Sequence, residues 1–190
     1  QVRRVGAETW EQIQSGTSFD TEASLRTGPR SAARIVLHDG SVVEMAAATE
    51  ISAVHVAQVP TGKRYLSLVR LLEGKLHVLV GEQYGLEGSR FEVETPAAVT
   101  SARGGEFLVL HDGQAELTTV VGLEREVAVE STIGLIGPGV TVGPKTLTQT
   151  RRGRFPAPPG KVDAQALLGY REGLAVLGTG HPGEGSGSGH

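Results

Sequence analysis

Apolar and polar residues alternate along most of this chain, in short stretches broken by turn residues. Arg34 to Leu37 and Val42 to Met45 flank Asp39-Gly40, a hairpin-type or solenoid corner signal. Ile51, Ala53, Val54 and Val56 make a third apolar strand. Tyr65 to Leu72 makes a fourth, with Leu66, Leu68 and Leu72 placed on one face. Glu73-Gly74 breaks it, and Lys75 to Val80 resumes with period two. Phe91 and Val93, Ala97 to Thr100, Phe107 to Leu110, Leu117 to Val121 and Val127 to Val129 continue the pattern. A last series, Ile133 to Gly137 and Val140 to Val142, is punctuated by Gly and Pro. Turns fall roughly every 8 to 12 residues, as in an all-β sandwich, roll or solenoid. No helical pattern lies between strands before position 160, which argues against a parallel α/β fold.

Two stretches echo each other. Leu25 to Ser41 and Phe91 to Gly113 each open on a threonine step, Thr27-Gly28 or Thr95-Pro96, and each closes its strand with Leu-His-Asp-Gly. The His-Asp-Gly triplets are 73 residues apart (38 to 111) and the threonines 68 apart (27 to 95), so the second copy carries extra residues around the Arg103-Gly104-Gly105 turn. Such self-similarity indicates an internal repeat of β-structure.

The repeat carries a resemblance. Arg26-Thr27-Gly28, Asp39-Gly40-Ser41, Leu72-Glu73-Gly74-Lys75, Phe91 to Val99 and Arg103 to Val109, with Trp10 and Ser15-Gly16 upstream, resemble the FecR domain of bacterial cell-surface signalling proteins over roughly residues 2 to 145. The family usually has Arg-Gly-Thr-Glu-Phe, and here Gly105 replaces the threonine. The resemblance implies an all-β fold, a β-solenoid or roll-like stack of many short strands, occupying residues 1–147. Residues 148–190 are then a tail. Arg151 to Gly160 reads as an extended, cationic, proline-rich linker, Asp163 as the cap of a short helix, and the terminal Gly/Ser run as an expression-tag remnant. A Greek-key sandwich shares the same signals.

Formal charge is −3 and the only basic cluster is Arg151-Arg152-Gly153-Arg154, so no nucleic-acid partner is expected. There is no cysteine, hence no thiolate metal site and no thiol nucleophile. No apolar run reaches the roughly 18 residues of a membrane span, and the start at Gln1 fits a chain whose export signal has been removed. His38-Asp39 with Ser41, and His111-Asp112, supply the parts of an acyl-transfer site. Adjacent strand residues face opposite ways, however, and Asp-Gly is first a turn. His38, His55, His77 and His111 lack the spacing of a zinc site. Glu92 and Glu94 share a strand face with no opposing acid, and the Gly-rich pieces lack a phosphate loop's strand-to-helix setting. No cofactor or metal is expected.

Thr27, Gly28, Asp39, Gly40, Gly74, Thr95, Pro96, Gly104, Gly105, Asp112 and Gly113 are therefore turn and motif residues. Arg26 and Arg103, before the two corners, either bond corner carbonyls or form an exposed stripe that binds a partner. By resemblance, the function is that of a non-catalytic extracytoplasmic (periplasmic) protein-interaction domain in cell-surface signal transduction or sigma/anti-sigma regulation. Its partner would be a protein of the cell envelope, met by main-chain pairing at a strand edge, with any membrane anchor lying outside these residues. The alternative is a cell-envelope or polysaccharide-binding module whose partner is a glycan, although Trp10, Tyr65, Tyr84 and Tyr170 are few and scattered.

Overall fold

The computed structural model describes residues 1–59, 64–133 and 137–174, with side chains for all of these but 53–59. His55's side chain, Leu135 and Ile136 of the last expected series and the Gly/Ser tail thus lie outside the described residues. The described residues are mostly β, with one helix among them. In order come β1 (Val2–Arg3), β2 (Ser24–Arg26), β3 (Ala33–Val36), β4 (Val42–Met45), β5 (Glu50–Val59) and β6 (Arg64–Val80). A short 3-10 turn (Glu82–Gly85) precedes β7 (Arg90–Glu94), β8 (Ala98–Ala102), β9 (Gly105–Asp112) and β10 (Leu117–Gly122). Then follow β11 (Val127–Ser131), β12 (Val140–Val142), β13 (Thr146–Arg151), β14 (Gly160–Lys161) and α1 (Ala164–Arg171).

All the strands join one sheet, curled into a half-barrel. One half runs β12-β11-β8-β7-β6-β5-β2-β1 and the other β3-β4-β6-β9-β10-β13-β14, so β6 belongs to both. Every pairing but β6–β7 is antiparallel, whereas successive rungs of a solenoid would pair in parallel. The tight turns explain the difference: Asp-Gly reverses the chain within a few residues and returns it beside its predecessor.

Glu73-Gly74, expected as a break, is a bend within one strand. Glu50 pairs with Glu73 and Ile51 with Leu71, which leaves Leu72 as a bulged residue. Across the bulge the buried positions change phase, from Ser67, Val69 and Leu71 to Leu76, Val78 and Val80. Leu66, Leu68 and Leu72 do share a face, but it is the outer one.

Tyr84, Phe91, Phe107, Met45, Ile51, Leu71 and Leu76 fill the concave side, each with essentially no exposed surface. A smaller cluster covers the outer side of β9 and β10, where Leu167, Tyr170 and Leu174 from α1 and just beyond it meet Leu108, Leu110, Val121 and Leu147. The expected linker after Arg151 turns back along β13 instead, with Ala157 N–H on Gln149 O and Thr148 Oγ1 on Ala157 O. A domain boundary at 147/148 would therefore fall inside β13. No helix among the described residues is long and apolar enough to cross a membrane.

Candidate functional site

The first threonine corner is built where β2 ends. Thr27 N–H donates to Thr49 O (2.9 Å), its hydroxyl donates to Ala46 O (2.6 Å), and the same oxygen accepts from Thr49 N–H (2.9 Å). Gly28 O accepts from Ala48 N–H (3.0 Å). Thr49 in turn reaches the bend of β6, its hydroxyl oxygen accepting from Lys75 N–H (3.1 Å). Only glycine fits at 74: its φ is +96°, and a Cβ there would stand 2.7 Å from Thr49 Cα.

The second corner lies across the same bend, since Gly74 pairs with His111. Thr95 Oγ1 accepts from Ala98 N–H (2.9 Å) and is joined at 2.7 Å to Thr118 Oγ1, which meets His111 Nδ1 at 3.0 Å. All three residues are buried, and burial lowers the imidazole's proton affinity; Glu73, Asp112 and Glu116 partly offset this. Outside the bend, Glu73 Oε2 accepts from Gly113 N–H (2.8 Å). The two sequence repeats thus become two corners that grip one bend.

The His-Asp-Gly triplets sit at hairpin turns. Asp39 Oδ1 accepts from Ser41 N–H (2.8 Å), Gly40 has φ +79°, and Asp112 Oδ1 accepts from Ala115 N–H (2.9 Å). The other oxygen of Asp39 accepts from the Tyr84 phenol and, at 3.3 Å, from Ser67 Oγ. Burial first, then the Asp39 hydrogen bond, holds that phenol far above the ordinary tyrosine range. Ser41 Oγ accepts from Gly81 N–H (3.0 Å), and His38 is exposed, so the acyl-transfer parts address other partners. His77 bridges Glu44 (2.9 Å) and Glu106 (2.7 Å) on the outer face of the sheet, the face opposite His111. No metal-holding cluster occurs among the described residues. Glu92 and Glu94 pair with Arg90 and Arg70.

Arg26 and Arg103 are not brought together. Their levels on the sheet are set by β6: Arg26 lies beside Glu50 and hence Glu73, whereas Arg103 follows Ala102, level with Ser67 through Phe91. About six strand residues, roughly 20 Å, separate those levels. The Arg26 guanidinium stacks on Trp10 at 4.3 Å, with Arg3 at 4.9 Å from the same ring, and its Nε donates to Gln1 Oε1 (2.6 Å). Arg103 is exposed and has no side-chain partner among the described residues. Beside it Gly104 and Gly105 have φ of +132° and +86°, and a Cβ at Gly105 would stand 2.7 Å from Arg125 Cβ. The departure from threonine at 105 therefore goes with a left-handed backbone that a β-branched residue would strain.

Beside the first corner opens a cleft of about 850 Å³. Residues 12–17 form one wall, Arg26-Thr27-Gly28 and Ala33 to Arg34 of β3 the other, and Leu25, Ile35 and Met45 the floor. The resemblance's upstream pieces meet here, Ser15 and Gly16 in the wall and Trp10 behind Arg26. Among the described residues β3 pairs only with β4, on one side. Sequence reasoning missed this edge and missed Thr49, because neither is marked by local pattern; each depends on which distant segment arrives alongside.

Comparison with known proteins agrees with the architecture. The family model described as FecR protein matches residues 23–123. Two crystal structures of a candidate anti-sigma factor from Parabacteroides distasonis ATCC 8503 share the fold, with TM-scores of 0.61 and 0.60 at 22% and 21% identity over 79% of this chain. The chain spans 64% and 65% of theirs, just under two thirds. No curated protein matches the chain in sequence.

Proposed function

Because the chain belongs to the FecR family, we propose that it is a non-catalytic, extracytoplasmic signalling domain that regulates a sigma factor by holding a protein partner. The family itself supports the signalling role, and the likeness in fold to a candidate anti-sigma factor points the same way. The observation that carries the reading is the cleft: its wall includes Arg26-Thr27-Gly28, with Trp10 stacked behind Arg26, beside a sheet edge that no other described strand covers. Aromatic and arginine side chains in such settings dominate protein interfaces.

Affinity capture from the source organism's envelope, with this chain as bait, tests the proposal. A sigma-regulatory or outer-membrane protein should be retained. Arg26→Ala, which removes the stack on Trp10, should weaken retention by about tenfold, the size of a moderate hot spot. Arg103→Ala, at the far level of the sheet, should leave it unchanged. Recovery of glycan with no protein partner would sink the signalling reading in favour of an envelope-binding module.

A further inference from the structure

The hydrogen-bond phase of β3 can be read from its neighbours. Leu37 N–H bonds Ser41 O at one end of the hairpin, and Ala46 N–H bonds Lys75 O on the far side of β4. Antiparallel pairs alternate, so Val43 and Met45 turn their main-chain groups to β3, while Val42 and Glu44 turn theirs to β6. On β3, Ala33 and Ile35 therefore bond β4. The amides and carbonyls of Arg34 and Val36 point off the edge that no other described strand covers, where Arg34 borders the cleft and Val36 continues the strand past its lining.

That edge is weakly protected. Sheets usually guard an edge with bulges, prolines, charges or a covering element. Here the guard is one arginine, Arg34, already drawn to Glu44 at 3.8 Å, and Val36 stands 69% exposed. The wall of residues 12–17 stands across the cleft from β3. A volume of about 850 Å³ holds a few residues of one extended chain but not a second folded sheet. Half-buried Ile13, Phe19 and Ala33 border the floor.

We propose that the cleft takes an extended segment of a protein partner, which adds to β3 as an edge strand through the main chain of Arg34 and Val36. This rests on the protein-binding reading above and names its mode. The added strand has alternating side chains: one apolar residue enters beside Ile35, toward Ile13 and Phe19, and its neighbours lie outside against Val36 and the stem of Arg34.

A random library of displayed 12-residue peptides is the probe, selected on the full chain. Selected peptides should alternate apolar and polar residues. They should slow hydrogen exchange at the amides of Arg34 and Val36 by at least about tenfold, with Ala33 and Ile35, already bonded, little changed. Val36→Pro deletes an N–H that β4 does not use, so it should cut peptide binding by about tenfold or more without altering circular dichroism. If that variant fails to fold, the exchange measurement on the unaltered chain decides alone. An empty selection, or peptides that bind without protecting those two amides, overturns the proposal. A captured envelope protein that binds Val36→Pro as tightly as the parent also overturns it and leaves the signalling reading standing. Peptides that add to β3 while no envelope protein is captured do the reverse: they uphold the added strand and count against the signalling reading.

Discussion

The two threonine corners begin from the same motif and end in opposite settings. Thr95 closes a local turn within its own few residues and passes its hydroxyl inward to Thr118 and His111, all buried. Thr27 ties segments some twenty residues apart, through Ala46 and Thr49, and stands half-buried beside an open cleft. The strands around the second corner are paired on both sides, β8 with β7 and β11, β9 with β6 and β10. Those around the first leave β3, among the described residues, unpaired on one side. A repeated motif thus supplies the scaffold twice, and the proposed interaction surface arises where one copy lacks a described neighbour.

Breaking the shared bend should do most damage. Gly74→Ala forces a side chain toward Thr49 at a positive φ, and strain plus overpacking should cost about 3 kcal/mol or more, read as a lower urea midpoint. Comparing the corners directly sharpens the contrast. Thr95→Ala strips a buried network and should cost about 2 kcal/mol, while Thr27→Ala, half-open to water, should cost about 1 kcal/mol and alone disturb the cleft. Equal costs would show that the corners are energetically alike after all.

The smallest effect separates the buried corner by pH. His111 titrates below its unfolded value of about 6.5. Its contribution is complete above that pH and is lost as pH falls from there through the folded-state value, because the unfolded chain takes up the proton first. Urea midpoints measured from pH 8 to pH 5 should decline on the acid side. His111→Gln should flatten that decline, and an unchanged slope would show that the histidine is not its source.

Local chemistry was legible in the sequence where the cause was local. Asp39-Gly40 turns because the carboxylate bonds its own backbone, and Asp163 caps α1 through Ala166 N–H. The all-β class followed from alternation. Partners contributed by distant segments were not legible. Glu73-Gly74 looked like a break because its neighbour Glu50 arrives from elsewhere. Arg151 to Gly160 looked free because nothing local marks Ala157 as the partner of Gln149 and Thr148. The cleft was invisible for the same reason, being the absence of a pairing that only the complete sheet reveals.

β6 runs for 17 residues through both halves of the sheet, about three times an ordinary strand. β5 and β7 hold its first stretch and β4 and β9 its second, so each half of the sheet anchors one end of the same backbone. A pull on β4 beside the cleft is carried as shear onto the stretch of β6 beyond Gly74 and straight across it to β9, which flanks that same stretch. A load taken up at the β3 edge would therefore cross four strand pairings in succession, β3 to β4, β6, β9 and β10, without leaving hydrogen-bonded sheet.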